Sequence, residues 1–328
     1  TTYSSTNRFV ANGDVALFDC GGSLATLTLC ALPPQATAPV DIAGPPVADT
    51  LPNDHSLVAI GNVGGAAVFH VANVNEIWRS DGTAPGTFRL AAGDWVRPAS
   101  TVHPISIVHN GKLYFVGCRA TDDCSLYATD GTVAGTTTVA PLGLTTSIAE
   151  AWFERYGTEF VVGIAGFYYG GIWRSDGTTA GTRRIVSGVF ERFNMAVVGD
   201  RIFFDACCNY PWGLNVSDGT EAGTRAVPLP PDMIGLGSAL FENIGDTALI
   251  LGCSTSTDGT SICAVDREGT GIARVAALGR TGRGASVALL GRTRDAIYVA
   301  VDDTLHGREP WRIRVRDAIF SDGFDAQP

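Results

Sequence analysis

The chain has few of the residues that bind nucleic acids or cross membranes. Of its 328 residues only 23 are basic, with a single lysine at Lys112, and the formal net charge is −10. Concentrated positive charge binds phosphate backbones, so no nucleic-acid partner is expected. No apolar run approaches the roughly 20 residues that a spanning helix needs, so the chain is not expected to span a membrane.

Recognised catalytic, metal and cofactor motifs are also missing. GxSxG and HExxH do not occur, and none of the five histidines lies in a motif. We therefore expect no cofactor and no metal, and the sequence favours a protein without catalytic activity. Four aspartates are the candidates for an acid–base pair: Asp19, Asp205, Asp302 and Asp303. They lie near the ends of the second strands of the repeated units that are described below.

Turn-forming residues are abundant instead. The chain has 40 glycines and 16 prolines, 45% apolar residues and 17% charged residues. No 3.6-residue periodicity of apolar residues indicates helices, and the composition is too apolar for a disordered chain. The sequence therefore predicts a globular all-β protein.

A strand–Asp-Gly-Thr–turn–strand unit repeats along the chain. Its four strong copies are residues 77–90 (IWRSDGTAPGTFRL), 126–139 (LYATDGTVAGTTTV), 172–185 (IWRSDGTTAGTRRI) and 214–227 (LNVSDGTEAGTRAV). Their aspartates, Asp81, Asp130, Asp176 and Asp218, are 49, 46 and 42 residues apart. Weaker copies lie at residues 262–275 and 27–40, and residues 310–315 resemble the first strand of one more.

Two further strand-like runs joined at a Gly-containing turn precede each unit. Four short strands in about 45 residues match one propeller blade. The sequence therefore predicts a single domain, a seven-bladed β-propeller of four-stranded antiparallel blades. Six blades would follow if residues 27–40 were an appendage. The approximate blades are residues 3–42, 55–91, 103–141, 150–187, 193–229, 237–277 and 284–322.

The unit resembles the ELWxxDGT repeat of secreted bacterial propellers. Residues 76–87 (EIWRSDGTAPGT) and 172–182 (IWRSDGTTAGT) are the nearest matches. The resemblance implies the architecture but no activity, because propellers carry many functions. We interpret the four aspartates as structural turn residues rather than calcium ligands, since each loop offers one carboxylate and calcium needs several oxygens.

Eight cysteines indicate an oxidising compartment. Three pairs are close in sequence, which predicts the disulfides Cys20–Cys30, Cys118–Cys124 and Cys253–Cys263 across hairpins. Cys207 and Cys208 are adjacent, and we expect a vicinal disulfide between them; free thiols are the alternative. The chain begins at Thr1 without Met, as a mature exported protein does. These features predict a secreted, periplasmic or cell-surface protein.

Aromatic residues accompany the adjacent cysteines. In a propeller, strands A to D run outward from the channel, and the B–C and D–A loops share one face. The candidate ligand residues of this face are Cys207, Cys208, Tyr210, Trp212, Phe167, Tyr168, Tyr169 and Trp95. Aromatic faces beside a rigid disulfide favour stacking of a sugar or a flat apolar group. Covering of the blade ends is the alternative role for these aromatics.

Three functions remain open from the sequence. The favoured one is a secreted, monomeric, non-catalytic protein that binds a glycan or small molecule on this face. The alternatives are an extracellular polysaccharide lyase or hydrolase, and an adhesion scaffold that binds another extracellular protein. At the C-terminus, either residues 318–321 or residues 3–10 are expected to supply the last outer strand.

Overall fold

The computed structural model is built of β-strands throughout the residues it describes. These are residues 9–20, 29–42, 57–71, 76–92, 94–95, 104–119, 123–144, 148–190, 194–206, 213–236, 240–255, 259–278, 286–293, 296–302, 307–314 and 325–327. Within those ranges no helix has the length and apolar character needed to cross a membrane.

The first four sheets follow one another along the chain. Sheet 1 consists of β1 (Phe9–Asn12), β2 (Val15–Asp19), β3 (Leu29–Leu32) and β4 (Val40–Asp41). Sheet 2 consists of β5 (Leu57–Val63), β6 (Ala66–Val71), β7 (Glu76–Ser80) and β8 (Phe88–Ala92). Sheet 3 consists of β9 (Asp94–Trp95), β10 (Ser106–His109), β11 (Lys112–Arg119), β12 (Asp123–Thr129) and β13 (Thr137–Leu144). Sheet 4 consists of β14 (Ile148–Tyr156), β15 (Glu159–Ser175) and β16 (Arg183–Phe190).

Three more sheets complete the described structure. Sheet 5 consists of β17 (Met195–Val198), β18 (Arg201–Ala206), β19 (Gly213–Ser217) and β20 (Arg225–Ala226). Sheet 6 consists of β21 (Met233–Gly235), β22 (Leu240–Ile244), β23 (Thr247–Thr255), β24 (Gly259–Asp266) and β25 (Ile272–Ala277). Sheet 7 consists of β26 (Ser286–Arg292), β27 (Ala296–Asp302), β28 (Arg308–Arg314) and β29 (Asp325–Gln327).

Strands of a sheet pair in chain order, apart from β9 and β21, which pair with β11 and β23, and the pairing is antiparallel, as between β10 and β11, β17 and β18, and β23 and β24. Seven such sheets are the blades of a seven-bladed β-propeller, so the predicted fold class is confirmed. Turn chemistry sets these hairpins. Asn110 and Gly111, with φ of 47° and 76°, join β10 to β11, and this left-handed pair matches the twist of the two strands.

The apolar core lies between successive sheets. The chain divides into two compact units, Thr1–Phe153 with Ser175–Arg183, and Glu154–Arg174 with Arg184–Pro328. In the first unit, Phe69 and Leu17 belong to a cluster between sheets 1 and 2. In the second unit, Phe203 and Ile250 belong to a cluster between sheets 5 and 6, and a further cluster joins sheets 6 and 7. In these three pairs, each sheet therefore buries an apolar face against the next one.

Four sequence expectations are corrected in detail. Residues 29–41 form the outer strands of sheet 1, so the six-bladed alternative is wrong. Asp325–Gln327 pairs with β28 as the outer strand of sheet 7, whereas residues 318–321 and 3–10 were expected there. Sheet 4 has three strands because β15 runs without a break through residues 166–171, which were expected to be a loop. Sheets 3 and 6 each gain a short extra strand, β9 and β21.

Candidate functional site

The predicted aromatic and cysteine cluster is only partly within the described structure. Cys207, Cys208, Tyr210 and Trp212, and with them the predicted vicinal disulfide, lie outside the described residues. The three consecutive aromatics Phe167, Tyr168 and Tyr169 are part of β15. Trp95 was expected in a loop but belongs to β9, where it pairs with Cys118 at the end of β11. The described residues therefore give no grouping of these side chains, and the ligand face stays a prediction.

Three disulfides join neighbouring strands. Cys118 and Cys124 occupy directly opposed positions of β11 and β12, with their Cα atoms 3.9 Å apart. The other two bonds have Cα separations of 5.8 and 6.1 Å and connect Cys20 to Cys30 and Cys253 to Cys263. All three close short hairpin loops, which is compatible with an oxidising environment.

The Asp-Gly-Thr turn is a closed hydrogen-bond network. In the copy at Asp176, the Thr178 amide and hydroxyl donate to one carboxylate oxygen at 2.8 and 2.7 Å. The Gly181 amide donates to the Thr178 hydroxyl at 3.0 Å, and the Thr182 hydroxyl donates to the Thr178 carbonyl at 2.6 Å. The same bonds recur at the other three copies, which contain Asp81, Asp130 and Asp218. The Thr178 hydrogen bonds also lower the pKa of the Asp176 carboxyl, so the aspartate acts within its own turn.

Three of these four turns, and the turn of the weaker copy at Asp266, also accept a hydrogen bond from the preceding sheet. The Tyr114 hydroxyl in sheet 3 donates to the Gly177 carbonyl in the turn of sheet 4 at 3.4 Å. Three more interfaces have an equivalent bond: Arg79 to Gly131 at 3.3 Å, Tyr156 to Asp218 at 2.6 Å and Arg225 to Gly269 at 3.1 Å. We call these four bonds the turn clamps. They give the repeated motif a second structural role, in joining successive sheets.

The carboxylates chosen from the sequence as an acid–base pair have different surroundings. Burial raises the pKa of Asp205 to about 6, opposed by hydrogen bonds from Asn194, whose amide donates to the carboxylate at 2.7 Å. No other carboxyl group contributes to that shift. Asp19 and Asp302 end β2 and β27, and Asp303 lies outside the described residues. In the described part of the chain, no three His, Cys, Asp or Glu side chains could together hold a metal ion.

Two other carboxylates occupy equivalent positions in two sheets. Glu154 in β14 and Glu242 in β22 each lie three residues before the glycine that begins the turn to the second strand. Glu242 is only 7% exposed, and Glu154 is half-buried. Sheets 1, 2, 3 and 5 have uncharged residues at this position: Val10, Gly61, Ile107 and Ala196. The two glutamates are therefore departures from the repeat, and both belong to the second unit.

The two carboxylates interact electrostatically with each other and with Arg292. Burial raises the pKa of Glu154 to about 7; the positive charge of Arg292 opposes this rise, and the negative charge of Glu242 adds to it. Burial also raises the pKa of Glu242, again opposed by Arg292, whose Nη1 lies 3.7 Å from Glu242 Oε2. Glu154 therefore titrates near neutral pH beside a second carboxylate paired with an arginine.

Asn243 holds the arginine in place. The Arg292 Nη1 group donates to Asn243 Oδ1 at 3.1 Å, and Asn243 Nδ2 donates to the Val197 carbonyl at 2.6 Å. Beside them is an open cavity of about 390 Å³ lined by Asn243, Ile244, Gly245, Arg292 and Thr293. We call Glu154, Glu242 and Arg292, with this cavity, the carboxylate site.

Sequence reasoning missed the carboxylate site. It lies near the turns between first and second strands, whereas we expected a ligand on the opposite ends of the strands. A signal was present in the sequence, because Phe-Glu-x-x-Gly occurs at residues 153–157 and again at 241–245. Alignment of the first strands across the copies would have shown glutamate in two copies and uncharged residues in four.

The fold is shared with solved structures of hydrolases. A puromycin hydrolase matches with a TM-score of 0.47 and 11% identity, over 94% of this chain and 51% of that one. A structure from a study of two prolyl endopeptidases matches with a TM-score of 0.52 and 12% identity, over 93% of this chain and 46% of that one. This chain thus spans about half the length of these proteins. No protein-family model and no curated protein matches it.

The expectation of a non-catalytic binding protein is corrected here. The neighbour with a TM-score of 0.52 comes from a study of prolyl endopeptidases, so the comparison gives no support to a non-catalytic binding protein. At 11% and 12% identity the likeness establishes the fold alone, so the chemistry has to be argued from the chain's own residues. The inference failed because the aromatic loop residues were weighed without the first-strand carboxylates.

Proposed function

We propose that the chain is an extracellular hydrolase that cleaves a glycosidic bond at the carboxylate site. The observation that carries the proposal is a pair of buried or half-buried glutamates in one electrostatic cluster, with the pKa of Glu154 at about 7. Glycoside hydrolysis uses two carboxyl groups in different protonation states. First strands line the central channel of a propeller, so this position is suited to a polymeric substrate.

Glu154 acts as the general acid. Because burial raises its pKa to about 7, a large fraction of its carboxyl is protonated at neutral pH and donates to the leaving glycosidic oxygen. That donation lets the bond between the anomeric carbon and the oxygen break with the electron pair on the oxygen, which leaves as an alcohol.

Glu242 acts as the general base. The Arg292 guanidinium, 3.7 Å away, favours the ionised form of the Glu242 carboxyl. The carboxylate takes a proton from the water that adds to the anomeric carbon. One water is thus added across the bond, and return of a proton from Glu242 to Glu154 through solvent completes the cycle.

The covalent structure supports the extracellular compartment of this proposal. Three disulfides, together with the likeness of residues 76–87 to the ELWxxDGT repeat, support export of the chain from the cell. A substrate outside the cell agrees with a polysaccharide. The solved neighbours are a puromycin hydrolase and prolyl endopeptidases, so puromycin and prolyl peptides are the competing substrates for the test.

The test measures reducing-end release from a panel of polysaccharides by the wild-type protein and its Glu154→Gln and Glu242→Gln variants. Each variant should lose about 10²- to 10⁴-fold in kcat, because each removes one proton-transfer group. The wild-type rate should fall as the pH rises above about 7, where Glu154 loses its proton. The pH–rate profile of the residual activity of Glu154→Gln should lack this fall at alkaline pH.

Glu221→Gln is the matched control, because Glu221 is an exposed glutamate in the turn of sheet 5. It should keep the wild-type rate. Melting curves establish that each variant is folded. The proposal is wrong if folded Glu154→Gln and Glu242→Gln hydrolyse glycans like the wild type. It is equally wrong if the protein cleaves only puromycin or prolyl peptides.

A further inference from the structure

The cavity beside the carboxylate site has an arginine with unused donors. Arg292 has a side-chain exposure of 56%, and its Nη1 atom makes both of its contacts, with Asn243 and Glu242. Among the described residues, its Nε and Nη2 groups have no acceptor. A guanidinium has five N–H donors in a planar fork that matches a carboxylate, so a second acceptor can bind alongside the protein partners.

The position of this guanidinium is fixed by the fold. Asn243 Nδ2 is bonded to the Val197 carbonyl of sheet 5, which leaves the amide oxygen to accept from Arg292 of sheet 7. Arg292 ends β26, the first strand of its sheet, and Thr293 adds a hydroxyl to the cavity wall. An anion in a cavity of about 390 Å³ would thus meet a preoriented donor rather than a mobile surface side chain.

The charge of the whole chain makes this feature selective. With a formal net charge of −10, the protein as a whole repels anions, so the exposed guanidinium of Arg292 gives this cavity a locally favourable charge for them. The hydroxyl oxygens of a neutral sugar can accept hydrogen bonds from the guanidinium, but the net gain is small because these bonds replace bonds with water. A carboxylate gains charge-assisted hydrogen bonds.

We propose that this cavity is a subsite for the carboxylate of a uronic acid residue, so that the substrate is an acidic polysaccharide. The statement that an acidic polysaccharide is hydrolysed rests on the proposed function, whereas the binding of a uronic acid at Arg292 does not. Arg292 is then a specificity-determining residue, and Asn243 is the positioning residue that orients it.

Binding of the anion would also influence the general acid. The charge of Arg292 opposes the rise in the pKa of Glu154, and a bound carboxylate neutralises part of that charge. The pKa of Glu154 should therefore be higher in the complex with a uronic acid substrate than in the free protein. In kinetic terms, the alkaline limb of kcat should lie at higher pH than that of kcat/KM for the acidic substrate only.

The binding test uses a uronic acid tetrasaccharide and its carboxyl-reduced neutral counterpart, titrated calorimetrically into the inactive Glu154→Gln protein. The acidic sugar should bind about 10- to 100-fold more tightly, the range expected for hydrogen bonds to a charged group. Arg292→Gln should abolish the difference, and Arg292→Lys should restore part of it. Arg314→Gln is the control, since Arg314 is an exposed arginine in β28 of the same sheet.

The outcomes separate the two proposals. Equal binding of the two sugars by a folded protein, or an unchanged preference in Arg292→Gln, overturns the subsite whatever the hydrolysis assays give. A preference for the acidic sugar that depends on Arg292, without hydrolysis that depends on Glu154, supports the subsite and overturns the proposed function. Preference and hydrolysis together, with the shifted alkaline limb, support both.

Discussion

One histidine, His70, is buried in the apolar core of the propeller, and burial changes its pKa. His70 lies in β6 with 1% exposure, and neither of its ring nitrogens has a hydrogen-bond partner in the structure as described. Burial lowers its pKa from 6.5 to about 4. The ring is therefore neutral at physiological pH and is accommodated as an apolar side chain between neighbouring strands, at the cost of two buried nitrogens without partners.

Replacement of this ring should stabilise the protein and flatten its response to acid. Since the unfolded chain binds a proton at His70 near pH 6.5 and the folded chain only near pH 4, stability is lost as the pH falls through this window. The linked loss is on the order of 3 kcal/mol. His70→Leu should therefore raise the melting temperature at pH 5 more than at pH 7.5, as measured by thermal melts across pH.

His103→Leu serves as the control for the loss of a histidine as such. A His70→Leu protein that melts with the wild-type pH dependence between pH 6.5 and 4 would contradict this account of the buried ring.

At the scale of elements, the Asp-Gly-Thr motif has two structural roles: it holds its own turn together, and it joins that turn to the preceding sheet. The aspartate organises its own turn, while the glycine provides the left-handed backbone and, at Gly131 and Gly177, also the carbonyl for the turn clamp. Gly177 has φ of +90°, and a Cβ atom there would lie 2.4 Å from the Tyr114 hydroxyl. A side chain at Gly177 would therefore both strain the turn and displace the Tyr114 side chain of the neighbouring sheet.

The second glycine of the motif is required for another reason. A Cβ atom at Gly181 would lie 2.0 Å from the Asp176 carboxylate, so Gly181→Ala should destabilise the protein by about 1–3 kcal/mol. Asp176→Ala should also cost about 1–3 kcal/mol, because the Thr178 donors lose their acceptor. In the double variant the clash no longer exists, so Gly181→Ala should add little. Chemical unfolding of the four proteins measures this coupling, and strict additivity would contradict the proposed contact.

How far the sequence predicts these elements depends on whether their causes are local. The Asp176 turn is held by hydrogen bonds between residues two to four positions apart, so the seven residues 176–182 suffice to identify it. The Asn110-Gly111 hairpin is local in the same way. Asp325–Gln327 could not be found, because a three-residue outer strand is defined only by the partner that it meets.

The candidate site shows the opposite case. The pKa of Glu154 reflects burial and the charges of two residues 88 and 138 positions later in the chain. No local pattern indicates that Glu242 and Arg292 act on the same group. What the sequence does contain is the shared Phe-Glu-x-x-Gly segment, which becomes informative only once the strands are aligned by their turns.

At the scale of the whole molecule, covalent bonds reinforce single hairpins rather than long connections. The three disulfides join residues only 10, 6 and 10 positions apart. In the chain-entropy description each such bond stabilises the fold by about 2–3 kcal/mol. They therefore strengthen sheets 1, 3 and 6 individually, while apolar packing holds successive sheets together.

Reduction should weaken the protein in steps rather than unfold it outright. The Cys118→Ser and Cys124→Ser double variant should lose about 2–3 kcal/mol of unfolding free energy, measured in denaturant. Reductant should then no longer change the contribution of sheet 3 to stability. The wild-type protein should melt at a lower temperature in dithiothreitol. Loss of all secondary structure on reduction at room temperature would show that the disulfides carry more of the fold than this.

The turn clamps have a consequence for how such a molecule can be rearranged. In each clamp the acceptor is a backbone carbonyl in the turn before the last strand of the following sheet. The donors come from different strands of their own sheets: Arg79 from the third strand, Tyr114 from the second of the four main strands, Tyr156 from the first strand and Arg225 from the fourth strand. The four interfaces that have a turn clamp thus use donors from four different strand positions for an acceptor in the corresponding turn. Exchange of two copies would leave the hydrogen bonds inside each turn intact but would separate the clamp donors from their acceptors. The repeats are therefore not interchangeable, although they are similar in sequence, and the structure depends on their order along the chain.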